Sequence, residues 1–322
     1  MPSRTVVTIG NFDGVHLGHA ALLREARALA GPEGRVVALV FHPHPISVLR
    51  PDQAPATLTT FERRAELLRH LGATEVVRLD PTPELLNLTP DEFIQTVIAR
   101  HNAAAFVEGQ DFRFGRNRAG DVQTLARIAA SKNLQISIIN PIESTLADQT
   151  IVTASSTILR WLIAQGRVAD AARVLGRPCE ITGVVVRGDQ RGRTIGFPTA
   201  NIDTECLIPA DAVYAGAAHL PDGRELPAAI HVGPRATFDN TTRTVEAYIL
   251  DWRGPLEDGW PTPAGAQEYG WPIRLTFIAH LRDQAKFEGI RPLVDQINRD
   301  VERTRALTTA APRGYRRETV NA

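Results

Sequence analysis

Residues 4–19 read Arg-Thr-Val-Val-Thr-Ile-Gly-Asn-Phe-Asp-Gly-Val-His-Leu-Gly-His, and this stretch decides the fold. The β-branched run Arg4–Ile9 ends at Gly10, the pattern of a short buried strand. Leu17 to Leu29 follows with helical spacing and abundant Ala, Leu, Glu and Arg. A strand that passes through a Gly-rich turn into a helix opens a βαβ unit. Working outward, Arg35–Phe41 reads as a second strand, Thr60–Leu71 as a helix with an Arg/Glu-rich outer face, and Glu75–Leu79 as a third strand. Pro90–Arg100 reads as a helix capped by Thr89. Ala104–Glu108 and Gln135–Ile139 read as strands, with a helix over Val122–Ala130 between them. Alternating strands and helices predict a mostly parallel sheet.

The rhythm changes near residue 178. Ser156–Leu175 reads as a helical pair interrupted at Gly166, and Gly176-Arg177-Pro178 stops it. Beyond Glu180 come β-rich segments: Ile181–Arg187, Val213–Leu220, Ala228–Val232, Thr244–Leu250 and Ile273–Ala279. Gly, Pro, Asp and Asn punctuate them, which predicts a small antiparallel barrel. An amphipathic helix follows over Ile290–Leu307, then a polar tail expected to be loose. The expected boundary lies between Leu175 and Glu180.

Composition narrows the function. At 322 residues the chain fits two domains, and 43% hydrophobic with 22% charged residues suits a globular protein. Lys plus Arg and Asp plus Glu are both 36, so the expectation is no nucleic-acid or membrane-surface partner. Only Cys179 and Cys206 are cysteines, without CxxC spacing, which argues against a zinc site or disulfide framework. No export signal and no run of about 20 apolar residues is present, so a cytoplasmic protein is expected. A homo-oligomer is compatible with all of this.

The turn from Gly10 to His19 carries chemistry. The carboxyl end of a strand in an open parallel sheet is where ligands bind. Gly10, Gly14 and Gly18 permit close approach of a phosphate, and Phe12 and Asp13 stand among them. The next helix offers unpaired N–H groups. His16 and His19, three apart, share a face and suit stabilising charge on a phosphorus centre and a departing pyrophosphate. Taken alone, the stretch also fits a tight turn with two surface histidines. Ser156, Thr157 and Arg160 would cap a helix start and aim donors at a triphosphate, although an ordinary capped helix reads the same way.

In the second half, Gly183-Val184-Val185-Val186-Arg187-Gly188 leads into Arg191-Gly192-Arg193-Thr194-Ile195-Gly196-Phe197-Pro198-Thr199-Ala200-Asn201. Such a loop wraps phosphates with backbone amides and arginines, here Gly192, Arg193 and Gly196. Thr199 and Asn201 alternate by two, so they leave an extended segment on one face. A hydroxyl and an amide oxygen are hard ligands that suit Mg²⁺ shared with ATP. Glu246 is one carboxylate among apolar neighbours in Thr244–Leu250, either a proton acceptor or a solvated outward residue.

Gly10–His19 resembles the HxGH nucleotidyltransferases, and its Phe-Asp-Gly resembles the prokaryotic bifunctional riboflavin kinase/FAD synthetases. Phe41-His42-Pro43-His44-Pro45, Gly109-Gln110-Asp111-Phe112-Arg113-Phe114-Gly115 and Ser155-Ser156-Thr157-Ile158-Leu159-Arg160 match the same family in order. So does Gly196-Phe197-Pro198-Thr199-Ala200-Asn201, together with the stretch Arg282 to Phe287. The resemblance implies a Rossmann-like α/β nucleotidyltransferase domain over 1–177 and a β-barrel riboflavin kinase domain with a C-terminal helix over 178–322. It implies phosphorylation of riboflavin to FMN, then adenylylation of FMN to FAD, with ATP and Mg²⁺. Glu246 takes the place of the kinase base, with Thr199 and Asn201 on Mg-ATP. His16, His19 and Arg160 serve adenylylation, and Asp111, Phe112, Arg282 and Phe287 face flavin. Three features depart from the family: Ile158 where an Arg is common, Ala236 where a Pro is usual, and a long Pro/Gly/Trp-rich stretch at 252–267, expected as a lid or surface insertion. Ile158 leaves open a chain in which only the kinase half is active; a non-catalytic flavin- or nucleotide-binding protein is a separate alternative.

Overall fold

The computed structural model describes residues 4–236, 241–252 and 268–310. The first half runs β1 (Thr5–Gly10), α1 (Leu17–Ala30), β2 (Arg35–Phe41), α2 (Pro45–Leu49), α3 (Phe61–His70), β3 (Glu75–Leu79), α4 (Pro83–Leu86), α5 (Pro90–His101), β4 (Ala105–Gly109), α6 (Val122–Ser131) and β5 (Gln135–Ile139). The five strands form a parallel sheet in the order β3-β2-β1-β4-β5. Strand order reverses between β1 and β4, which opens a crevice at their carboxyl ends. Val6, Val7, Val36, Val37 and Phe106 are fully buried, as expected for a sheet covered on both faces. Thr89 caps α5 as the sequence predicts: its backbone N–H donates to the Glu92 carboxylate at 2.8 Å, a capping box.

A short hairpin, β6 (Glu143–Thr145) and β7 (Ile151–Thr153), then leads to α7 (Ser156–Ala164) and α8 (Val168–Leu175). The barrel half comprises β8 (Cys179–Val186), α9 (Arg191–Thr194), β9 (Ala200–Asp203), β10 (Ala212–His219), β11 (Glu225–Ala236), β12 (Thr241–Ile249), β13 (Pro272–Asp283) and α10 (Ile290–Ala310). Its strands close in the order β10-β11-β12-β9-β8-β13, all antiparallel. Gly233–Ala236 continues β11 in register with β12, with Gly233 and Pro234 facing Thr244 and Arg243. Most of the 252–267 stretch, from 253 on, lies outside the described residues, as does the tail beyond 310. Among the described residues no helix is long and apolar enough to cross a membrane.

The two halves share one apolar core. Leu159, Leu162, Ile163 and Val174 of α7 and α8 join Ile181, Tyr214, Ile230 and Phe277 of the barrel. Beside this core, the buried Glu180 carboxylate of β8 accepts both Nε–H (2.8 Å) and Nη2–H (3.1 Å) of Arg63 on α3, and Nη1–H of Arg274 on β13 at 3.0 Å. Burial opposes its ionisation, but the charges of Arg177, Arg63 and Arg274 prevail and hold it at about 2. A carboxyl lowered in the folded state stabilises above its unfolded value near 4.3 and loses that contribution as pH falls toward 2. Glu180→Ala strands three guanidinium groups, and we expect a loss of about 3–5 kcal/mol at pH 7. Urea denaturation of both proteins from pH 7 to 3 checks this: the deficit shrinks below about pH 4.3.

Candidate active sites

The first site forms where β1 ends. Phe12 (φ 51°), Gly14 (φ 81°) and Val15 (φ 43°) all take positive φ, a conformation costly for a β-branched valine. Neighbouring groups hold the turn in that shape. The Asp13 carboxylate, 4% exposed, accepts the N–H groups of Leu58 and Thr59 and binds Arg64 at 2.9 Å and Arg160 at 2.6 Å. Arg64 also donates to the Asn11 carbonyl at 2.8 Å, and the Ser156 hydroxyl to the Asp13 carbonyl at 2.7 Å. Asp13 is thus an anchor for two cations beside the crevice, with its own oxygens occupied. The Gly10 face lies against the Phe12 ring, where a Cβ would stand 3.3 Å away.

His16 precedes α1 and His19 sits in its first turn, so the two rings stack with centroids 3.7 Å apart. The His16 backbone N–H donates to Nδ1 of His19 at 3.3 Å, which leaves the proton of neutral His19 on Nε2 as a free donor. Burial first, then the Arg177 charge, lowers His16 to about 4. Burial, then His16, Arg64 and Arg177, lower His19 well below its ordinary value. Both rings are neutral at pH 7. Gly18 spares room for the His16 ring, since a Cβ there would lie 3.0 Å from His16 Cε1.

On α7 the cap is Ser155, whose Oγ accepts from the Ile158 N–H at 3.3 Å, one residue before the expected start. Thr157 is exposed, and Ile158 packs against the shared core. Asp111 and Phe112 follow β4 at the same edge of the sheet. Asp111 is exposed, while Phe112 stacks on Phe114 with centroids 5.1 Å apart. Between the strand ends, the buried Glu108 accepts the Ile9 N–H at 2.8 Å with its side chain, and burial pushes its carboxyl well above the usual range.

The second site lies on the outer face of the barrel. Val245, Ala247 and Ile249 are buried in the core, so the period of two turns Glu246 outward. There it is half-buried rather than solvated. Thr199 Oγ1 donates to Glu246 Oε2 at 3.3 Å, and Asn201 stands directly opposite in the β9–β12 register. On the other side, His231 of β11 faces Glu246. His231 also lines a cleft of about 470 Å³ with Arg282, Gln284 and Phe287. The Arg282 guanidinium is held by Asp300 at 2.8 Å and lies 5.7 Å from the Phe287 ring centre. The Gly/Arg loop folds as the single turn α9. Phe197 N–H donates to the Gly192 carbonyl at 2.8 Å, Arg193 pairs with Glu268, and Gly196 takes φ 87°.

The structure therefore brings His16, His19, Asp13, Ser156 and Arg160 to one turn, and Thr199, Asn201 and Glu246 to one barrel face. Arg64, Arg177 and His231 join these sites without having been singled out by sequence. The paired Arg63-Arg64 within an otherwise amphipathic helix was the one available signal for Arg64.

Residues 1–155 match the FAD synthetase family and residues 175–308 the riboflavin kinase family. The bifunctional riboflavin kinase/FMN adenylyltransferase of Listeria monocytogenes is 33% identical over 94% of this chain and 91% of its own length. The Escherichia coli K12 protein of the same name is 33% identical over 92% and 90%. A crystal structure from Streptococcus pneumoniae, described as a macrolide-efflux protein, superposes with a TM-score of 0.80 over 95% of each chain at 31% identity. The chain belongs to the bifunctional riboflavin kinase/FMN adenylyltransferases, enzymes that phosphorylate riboflavin and adenylylate FMN.

Proposed function

We propose that the two reactions run at the two sites above, residues 1–177 carrying adenylylation and 178–322 phosphorylation. The observation that carries this reading is the Glu246 carboxylate set between Thr199, Asn201 and His231 beside a flavin-sized cleft. In the barrel, Glu246 accepts the proton of the ribityl 5′-hydroxyl as that oxygen attacks the γ-phosphorus of ATP, and ADP leaves. Arg282 and Phe287 hold the flavin end, and Gly192, Arg193 and Gly196 line the phosphate path.

Thr199 and Asn201 supply the hard oxygens that fit Mg²⁺, and Gly188 supports the fit: a Cβ there would stand 2.1 Å from Asn201 Nδ2. When bound, the ion offsets the phosphate charge. In the first half the FMN phosphate is already a nucleophile and attacks the α-phosphorus, displacing pyrophosphate. His19 Nε2–H, His16 and Arg160 stabilise the charge that develops there. Asp111 and Phe112 receive the flavin, and Thr157 with the Gly10–Gly18 turn lines the triphosphate. The two free thiols, Cys179 and Cys206, suit a cytoplasmic location.

The test is the product mixture from riboflavin and Mg-ATP. FMN and then FAD are expected, and chelation of the metal stops FMN formation. Gly188→Ala displaces the Asn201 amide and should raise the kinase KM for Mg-ATP by about tenfold or more while adenylylation stays unchanged. An unchanged kinase KM would sink the assignment of Asn201.

A further inference from the structure

Arg177 lies between α8 and β8, beyond the FAD synthetase match and inside the riboflavin kinase match. Its side chain nevertheless crosses to the adenylylation turn. Nη1–H donates to the Val15 carbonyl and Nη2–H to the Gly14 carbonyl, both at 2.7 Å. These are the two residues of positive φ immediately before His16. A planar fork on consecutive carbonyls fixes the peptide between them and so sets the direction in which α1 starts. The guanidinium is itself steadied from the barrel: its Nε lies 3.8 Å from Glu180 Oε1, and Glu180 is clamped by Arg63 and Arg274. That Nε is buried and has no hydrogen-bond partner, so the fork is spent entirely on the turn.

We propose that Arg177, at the junction between the two halves and steadied by Glu180 of the barrel, is a positioning residue for FMN adenylylation that holds the Gly14–Val15 turn and thereby aims His16 and His19. This rests on the reading of those histidines given above. A consequence is that the adenylylation site is complete only when the barrel entry is in place. Arg177 also places a positive charge beside both imidazoles; Asp13, Arg64 and the partner imidazole are the other charged or titratable groups acting on them.

The experiment uses the full chain with Arg177→Gln, Arg177→Lys and, in parallel, His19→Ala. FAD formation from FMN and FMN formation from riboflavin are followed separately from pH 5.5 to 8.5. Arg177→Gln should lower kcat for FAD formation about 10²-fold with little change in KM, the scale of a catalytic group displaced by about 1 Å. It should also move any acid limb of the profile to higher pH, because one cation that lowers the histidines is gone while their burial remains. Arg177→Lys keeps the charge and lacks the fork, so it should lose about tenfold in rate without that shift. Riboflavin phosphorylation should stay within about twofold throughout, which reports an intact barrel. Adenylylation unaffected in Arg177→Gln overturns the inference, as does a parallel loss of both activities. Full adenylylation in His19→Ala would instead overturn the reading of the histidines on which it stands.

Discussion

Glu246→Gln is expected to stop riboflavin phosphorylation while FAD formation from supplied FMN continues. Glutamine is nearly isosteric and can still accept from Thr199 Oγ1, so the contact at 3.3 Å and the strand register need not change. What disappears is the capacity to take a proton from the attacking hydroxyl. General-base catalysis of this kind is worth about 10²–10⁴-fold, so kcat should fall by that much with KM for Mg-ATP little altered. Glu246 lies on the outward face of β12 while Val245 and Ala247 fill the core, so the fold should be indifferent to the change. A kinase rate within threefold of wild type would show that the carboxylate is not the base.

His19→Ala should produce the opposite phenotype, with FMN accumulating and no FAD. The ring is held by the His16 N–H on Nδ1, which leaves Nε2–H as its donor. Removing one preorganised donor from a site where charge develops costs about 10²–10³-fold, or about 2.7–4 kcal/mol of transition-state stabilisation. The loss should appear in kcat, because a neutral imidazole adds little to ground-state attraction for a triphosphate. The stack with His16 at 3.7 Å also disappears, so His16→Ala and the double variant should be far from additive with it. FAD formation persisting in His19→Ala would exclude the imidazole as a donor. The two variants mixed should restore the full conversion, since free FMN passes from one to the other.

The parts of this arrangement that are local in sequence were readable. A strand–turn–helix opening with glycines and a His-x-Gly-His tetrad needs only chain connectivity to place His16 and His19 together, and the Pro-Thr-Ala-Asn run needs only a period of two. Asp13 was harder. It reads as one more polar group near phosphate, and its role as anchor emerges only once α3 and α7 converge on it. Arg63 and Arg64 looked like a solvated helix face, because no pattern in one helix shows that Glu180, more than a hundred residues away, will meet it. His231 was hidden for the same reason: antiparallel register, not spacing, sets it opposite Glu246. The single turn α9 was read as open loop because Gly192 and Gly196 suppress the helical signal. Ser155 and Ser156 differ by one residue, a distinction that capping propensity cannot make.

The continuous core joining Leu159 and Leu162 to Tyr214 and Phe277 has an evolutionary corollary. Two catalysts that melt together are inherited together: a lesion under either one lowers the abundance of both, whatever it does to turnover. Selection on whichever product is scarcer therefore guards the sequence of the other half. Such a lineage would shed one enzyme cleanly only by first building a new outer surface for the one it keeps.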